Sequence, residues 1–313
     1  MGRGERGDLS DAGWERLRPF LLVSNGRCGR WRDHRQVIDG ILHRVRTRAH
    51  WRDLPERFGP WKTVYERHRL WSAGGTWERL LQQVQPSADA AGESDWDISV
   101  DSTVVRAHQY AAGARTAPPP ALAGSKGDEG LEHQDESSWQ SLAGRLVEVV
   151  QEEGLGRSRG GFISKIHVSA DGRCRPLSLI VTPGQRADCT QFIPVLEKIR
   201  VPRLGPGRPR KRPDRVAADK AYGNGPCRKY LRRCAIRHTI PEKADSQAAR
   251  LRMGLRGGRP PGFDEERYKK RSTVERAINK LKNSRAVATR YDKRGYVFLG
   301  TVTAAALVIW LHS

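Results

Sequence analysis

The 313-residue chain is short of acids: 35 Asp and Glu stand against 57 Lys and Arg, a formal net charge of +22 and a pI near 10.5. A surplus of that size points to a polyanionic partner, and nucleic acid is the commonest. Cysteine is scarce too. Cys28, Cys174, Cys189, Cys227 and Cys234 are odd in number and scattered, with no Cys-x-x-Cys pair. That excludes a disulfide framework and a thiolate zinc site, and fits reduced thiols in a cytosolic protein. Long apolar runs are missing. The opening MGRGERGDLSDAG lacks the apolar core of a secretory leader. The longest apolar stretch, Val297 to Leu311, is interrupted by Gly300, Thr301 and Thr303. It predicts a buried terminal helix and no membrane span. The apolar content, 37%, still suffices at this length for a sizeable core and two domains.

Residues 1–90 read as helical. Leu9-Ser10-Asp11 offers N-caps before Trp14, Leu17, Phe20 and Leu21. A second helix is predicted from Asp33 to Arg48, with Val37, Ile38, Ile41, Leu42 and Val45 on one stripe. After a turn at Gly59-Pro60 comes a basic helix, Trp61 to Trp71, that carries Lys62, Arg67, His68 and Arg69. A helix, a Gly-containing turn and a basic helix resemble a helix-turn-helix unit that reads DNA. A plain helical bundle with basic outer faces fits the same pattern. The composition changes at PSADAAGESD, residues 86–95, read as a linker.

Residues 91–313 alternate strands and helices. WDISVDSTVVRAH is a strand with Asp101 at its end, and FISKIHVSADG with RPLSLIVTPG forms an antiparallel hairpin. A helix over 188–199 and a Pro/Gly/Arg loop over 202–215 follow. The short strand of VAADKAYG then carries Asp219 at its C-terminal end. Two more helices flank the strand IRHTIPEKA. The order β-β-β-α-β-α-β-α is that of a ribonuclease-H-like α/β fold, a mixed sheet flanked by helices. Residues 111–155 are Pro/Ala/Gly-rich and then acidic, and read as a low-order excursion from that fold.

The stretch Tyr268 to Lys282 organises the rest. From Tyr268, Arg271 is at +3, Glu275 at +7 and Lys282 at +14, so at about 100° per residue all four share one helix face. Val274, Ala277, Ile278 and Leu281 form the adjoining apolar stripe. Carboxyl ends of neighbouring strands carry functional groups in open α/β sheets, so Asp101 and Asp219 would converge and Glu275 would join them. Such hard oxygen donors suit Mg²⁺ or Mn²⁺, and two ions about 4 Å apart would serve phosphoryl transfer.

The spacing Tyr-x2-Arg-x3-Glu-x6-Lys resembles the signature of bacterial insertion-sequence transposases of the Asp-Asp-Glu class. DSTVVRAH, GRSRGGFISKIH, LIVTPGQRAD, ADKAYG, TRYDK and WRDLPERFGPW are similar to further segments of that family. The resemblance implies a DNA transposase with Asp101, Asp219 and Glu275 as catalytic metal ligands. It makes Tyr268, Arg271 and Lys282 the residues that position DNA. It also implies end cleavage with 3′-hydroxyl strand transfer, partners in terminal inverted repeats and target DNA, a homodimer or higher oligomer on DNA, and a cytoplasmic, nucleoid-associated location. The chain departs from the family where residues 111–155 intervene. A nuclease of the same fold and a catalytically inactive DNA-binding derivative are the alternatives. Arg208, Arg210, Lys211 and Arg212 of the basic loop are candidate phosphate contacts, because guanidinium groups suit phosphate oxygens.

Overall fold

The computed structural model describes residues 9–21, 33–113 and 153–313. Cys28 and most of the 111–155 excursion lie outside the described residues.

The helical region opens with α1 (Asp11–Leu17), capped by the Ser10 hydroxyl, which accepts from Gly13 N. Next is α2 (His34–Thr47), capped by Asp33 and stopped by Arg48 in the left-handed conformation at φ 66°. Its buried stripe is the one its periodicity predicts. Then come α3 (Trp61–Ala73), α4 (Thr76–Gln83) and α5 (Gln85–Ala90). The expected linker is therefore partly helix. Pro86 stands in the first turn of α5, where its missing N–H costs nothing, and Gln85, Pro86 and Ala88 are buried.

The sheet is built on β1 (Asp97–Ala107), the longest strand. The short β2 (Gly156–Ser158), then β3 (Gly161–Ala170) and β4 (Pro176–Pro183), form an antiparallel flank. After α6 (Asp188–Glu197), β5 (Arg215–Ala218) pairs parallel with β1. After α7 (Gly225–Arg233), β6 (Arg237–Thr239) pairs parallel with β5. The main order is β4-β3-β1-β5-β6, which is the ribonuclease-H-like sheet expected from the sequence. Then follow α8 (Ala244–Arg252), α9 (Glu265–Lys269), α10 (Ser272–Lys282), the two-residue β7 (Thr289–Arg290) and α11 (Gly295–Leu311).

The turn of the β3–β4 hairpin is closed by charge. Asp171 and Arg175, both about 1% exposed, form a salt bridge of 2.6 Å. Arg175 also donates to Glu93 O and lies 4.0 Å from the Trp310 ring centroid. The hairpin, the approach to β1 and α11 are thereby tied at one point.

The helical region and the sheet share one hydrophobic core. Helix α11 is the joint, packed against β4 on one side and against α3 and α4 on the other. A Cβ at Gly300 would collide with Ser72, so the two helices cross where neither has bulk. His68, fully buried, binds Thr301 Oγ1 at 3.1 Å and accepts from Trp77 Nε1. Arg44 reaches Asp292 at 3.0 Å, and Thr301 Oγ1 donates to the same carboxylate. Of the two sequence readings of α3, a helix-turn-helix unit and a plain bundle with basic outer faces, the packing supplies the buried inner side that both need. His68 and Trp71 face inward, Arg69 is tied to Glu66, and Arg67 lies against His34 and Trp71. Lys62 is exposed. Among the described residues no helix is long and apolar enough to cross a membrane.

Candidate active site

The geometry of β1 creates the site. Its first residues, Asp97 to Val100, pair with β5, and its last two, Arg106 and Ala107, pair with β7. Between them, from Asp101 to Val105, that edge of β1 has no strand partner among the described residues. Asp101 is therefore at the end of the parallel pairing and not at the end of the strand, as the sequence suggested. Val100 pairs with Ala218, so Asp101 and Asp219 are the next residues on two adjacent parallel strands. Helix α10 lies over this face of β1, with Thr273 Oγ1 donating to Ser99 Oγ at 3.1 Å.

The stretch Tyr268 to Lys282 is not one helix. It breaks between α9 and α10, with Arg271 as the N-cap of α10. The four polar residues of the motif still meet the same patch. Arg271 donates to Asp101 Oδ2 at 3.3 Å and to Glu275 Oε1 at 2.7 Å. Tyr268 OH donates to Asp219 Oδ1 at 3.4 Å. Lys282 Nζ donates to Val104 O at 3.3 Å, on the open edge of β1. Asp219 also caps the turn at Lys220–Tyr222, accepting from Lys220 N at 2.7 Å.

The electrostatics are those of crowded carboxylates. Burial holds the Asp101 carboxyl above its usual range, and the charges of Asp219 and Glu275 add to the effect, against the Ser102 amide and Arg271. Burial opposes the charge on Arg271, but Glu275, Tyr268, Asp101 and Asp219 together hold it above its ordinary value. Among the described residues no three His, Cys, Asp or Glu groups converge tightly enough to hold a metal ion as they stand. Arg271 bridges Asp101 and Glu275 instead. The donor chemistry nonetheless fits a divalent cation: three carboxylates, all oxygen, with a guanidinium now supplying the positive charge.

One neighbour of this patch escaped the sequence reading. Ser102 Oγ donates to Asp188 Oδ1 at 2.7 Å, and Lys165 Nζ reaches the same oxygen at 3.0 Å. Burial opposes the Asp188 charge, but these hydrogen bonds lower its carboxyl below the usual range. The Ser102 amide in turn holds Asp101 Oδ1 at 2.8 Å, so Asp188 steadies the strand beneath Asp101. The acid ending LIVTPGQRAD was a visible signal, but its partner is 86 residues away.

The basic loop lies elsewhere. Residues 202–214 lead into the start of β5, at the end of the sheet opposite the carboxylates. Arg208, Lys211 and Arg212 are exposed. Arg210 is turned inward, 4.0 Å from the Trp96 ring centroid and bonded to Asp214.

The arrangement is an open parallel strand pair with two aspartates at adjacent ends and a glutamate on a following helix, set on a ribonuclease-H-like sheet. The family comparison agrees: residues 92–310 match the model described as "Transposase DDE domain", and the chain belongs to that family of DNA transposases. Residues 9–81 match "Putative transposase of IS4/5 family". The chain is 39% identical over 110 residues to "Uncharacterized protein y4sN" of Sinorhizobium fredii, covering 35% of this chain and 84% of that one. It is 30% identical over 149 residues to "Putative transposase for insertion sequence element IS6501" of Brucella ovis, covering 48% of this chain and 98% of that one. The crystal structure of the Mos1 mariner paired end complex with Mn overlays 87% of this chain on 86% of that one. At 11% identity and a TM-score of 0.24 the likeness is too low to bear on fold or mechanism.

Proposed function

We propose that the protein binds the ends of an insertion element, cuts the DNA there in a metal-dependent reaction and joins the freed 3′-hydroxyl to target DNA. The observation that carries the reading is the register of β1 on β5, which sets Asp101 and Asp219 side by side beneath Arg271 and Glu275. Asp101, Asp219 and Glu275 would hold Mg²⁺ or Mn²⁺. When bound, the cations lower the pKa of a water or 3′-hydroxyl and stabilise the leaving oxygen. Arg271 would release the carboxylates and turn to a DNA phosphate, a role that suits its planar fork. Tyr268 and Lys282 flank the same patch and would orient the strand. Arg208, Lys211 and Arg212, with Lys62, would contact backbone further along a long duplex. Arg67, Arg69 and Arg210 serve the fold first. Two copies of the chain, one per end, would act together.

The test is Mg²⁺-dependent nicking of DNA that carries the element's ends. Asp219→Asn and Glu275→Gln should reduce nicking to background, with DNA affinity held or raised because a negative charge facing phosphate is gone. Asp245→Asn, an exposed change remote from the site, should nick like the unaltered protein. Wild-type rates in both site variants would refute the reading. Cutting without joining of a pre-cut 3′ end would make the protein a nuclease, and binding without cutting would make it a DNA-binding derivative.

A further inference from the structure

One cavity takes no part in the chemistry above. It has a volume of about 640 Å³ and lies at the seam between the helical region and the far end of β1. Its walls are residues 48–53 beyond α2, Trp61 and Tyr65 of α3, and residues 291–294 beyond β7, with Tyr110 at its mouth. Three segments quoted for the family resemblance meet here: WRDLPERFGPW supplies Trp51 and Trp61, TRYDK supplies Tyr291 to Lys293, and DSTVVRAH ends at His108.

Rings and cations alternate along the walls. The Arg48 guanidinium is 4.8 Å from the Tyr291 ring centroid, and Arg52 is 5.7 Å from that of Trp61. His108 stacks on the Tyr291 ring at 4.2 Å and 15°. Tyr110 is 51% exposed. Arg44 gives an independent observation. It lines the cavity and is only 4% exposed. Its Nη2 is bound to Asp292, while Nε and Nη1 have no hydrogen-bond partner among the described residues. Those two nitrogens are closed off from the cavity, and the guanidinium lies 5.1 Å from the Trp51 ring centroid, so Arg44 acts as fixed positive charge behind the ring-lined wall. Of the cations that line the cavity, Arg44 is paired with Asp292 and Arg294 with Glu153, which leaves Arg48, Arg52 and Lys293 against Asp53.

The cavity also lies downstream of the carboxylates. From Asp101 the strand β1 continues to Ala107, about 20 Å away by strand rise, and leads to His108, which backs the Tyr291 ring, and to Tyr110, which lines the cavity. Arg106 is exposed on that run.

We propose that this cavity binds an unpaired nucleotide of the DNA strand that passes over Asp101, its base stacked on the ring-lined wall and its phosphate held by Arg48 and Lys293. The proposal rests on the DNA-cutting reading. Every base offers a π-face, so the contact tolerates any sequence but requires an unstacked base.

The probe is a pair of element-end duplexes of equal length. One is fully paired and the other carries a short unpaired tail labelled with 2-aminopurine. The wild-type protein should bind the tailed duplex about tenfold more tightly, the worth of one stacked base, and should quench the label. Trp61→Ala and, separately, Lys293→Ala should each bring the affinity ratio towards one, with folding checked by circular dichroism. If either variant fails to fold, the wild-type ratio and quenching decide alone. A ratio near one with an unquenched label, in protein that still nicks with Mg²⁺, overturns the cavity assignment and leaves the transposase reading intact. Variants that keep the wild-type ratio overturn it as well. Competition by deoxyadenosine monophosphate as effective as that of the tail overturns the strand assignment in favour of a free nucleotide. No affinity for either DNA overturns both readings.

Discussion

Removing the Arg271 guanidinium should destabilise the metal-free protein and make its stability respond to divalent cations. Arg271→Ala takes away the cation at 3.3 Å from Asp101 and 2.7 Å from Glu275. Asp101 is the group most affected, because burial already raises its carboxyl and two acids lie near it. The Arg271 and Asp101 side chains are 22% and 23% exposed, so the pair is neither a surface bridge nor a sealed one. A fully buried bridge loses about 3–5 kcal/mol when one partner is deleted, and a surface bridge at most about 1. After allowance for solvent screening, about 1–2 kcal/mol is expected here. That corresponds to a fall in Tm of roughly 1.5–3 °C for a chain of this size. The half-exposed Glu275 adds little. The assay is thermal melting in EDTA and then across a Mg²⁺ titration. The variant should melt lower in EDTA and gain more from Mg²⁺ than the wild-type protein, because the cation supplies the missing positive charge. An equal deficit with and without Mg²⁺, or no deficit in EDTA, would refute the idea that guanidinium and metal occupy the same electrostatic place.

Three further outcomes follow from buried charge. The raised Asp101 carboxyl contributes most stability when protonated, below its unfolded value near 3.8, and loses it as pH rises through the folded value. Asp101→Asn should therefore stabilise metal-free protein at neutral pH, with the advantage vanishing in acid, as urea melts at several pH values will show. Burial pushes His68 and His167 down to about 4 from 6.5. Stability present above pH 6.5 should decline as pH falls to about 4, by up to roughly 3 kcal/mol per histidine, and His68→Gln should flatten that slope in chemical denaturation. Asp171→Ala strands Arg175 under Trp310 and should cost about 3–5 kcal/mol in a denaturant melt.

Much of the fold is legible in the sequence because its elements are locally specified. The stripe from Val37 to Val45 and the cap at Asp33 define α2. The two apolar runs joined through Asp171-Gly172 define the hairpin. The strand order follows, and with it the adjacency of Asp101 and Asp219. What fails is set by contacts between distant residues. The helix breaks at Lys270–Arg271, where i→i+3 hydrogen bonds replace the α-helical ones, yet Tyr268 still reaches Asp219. The small polar residues of 86–95 resemble a linker until Trp96 is seen to donate to Asp89. Charge counting in the 202–215 loop cannot tell that Arg210 turns onto Trp96. Nor can a basic helix with Trp61, His68 and Trp71 declare that its aromatic side meets Thr301 and α11, because that side would look the same against DNA.

The placement of α11 also sets when the molecule can take shape. Synthesis delivers α3 and α4 early, but the helix that covers them comes last. His68 waits for Thr301, and Arg44 waits for Asp292. At about 5–20 residues per second the interval is roughly 10–50 s. Throughout it the faces of Trp71 and Trp77 that will meet α11 have no cover. The helical region therefore cannot finish folding while the rest of the chain is still being made, and a ribosome that stops short of α11 releases neither half in its final form.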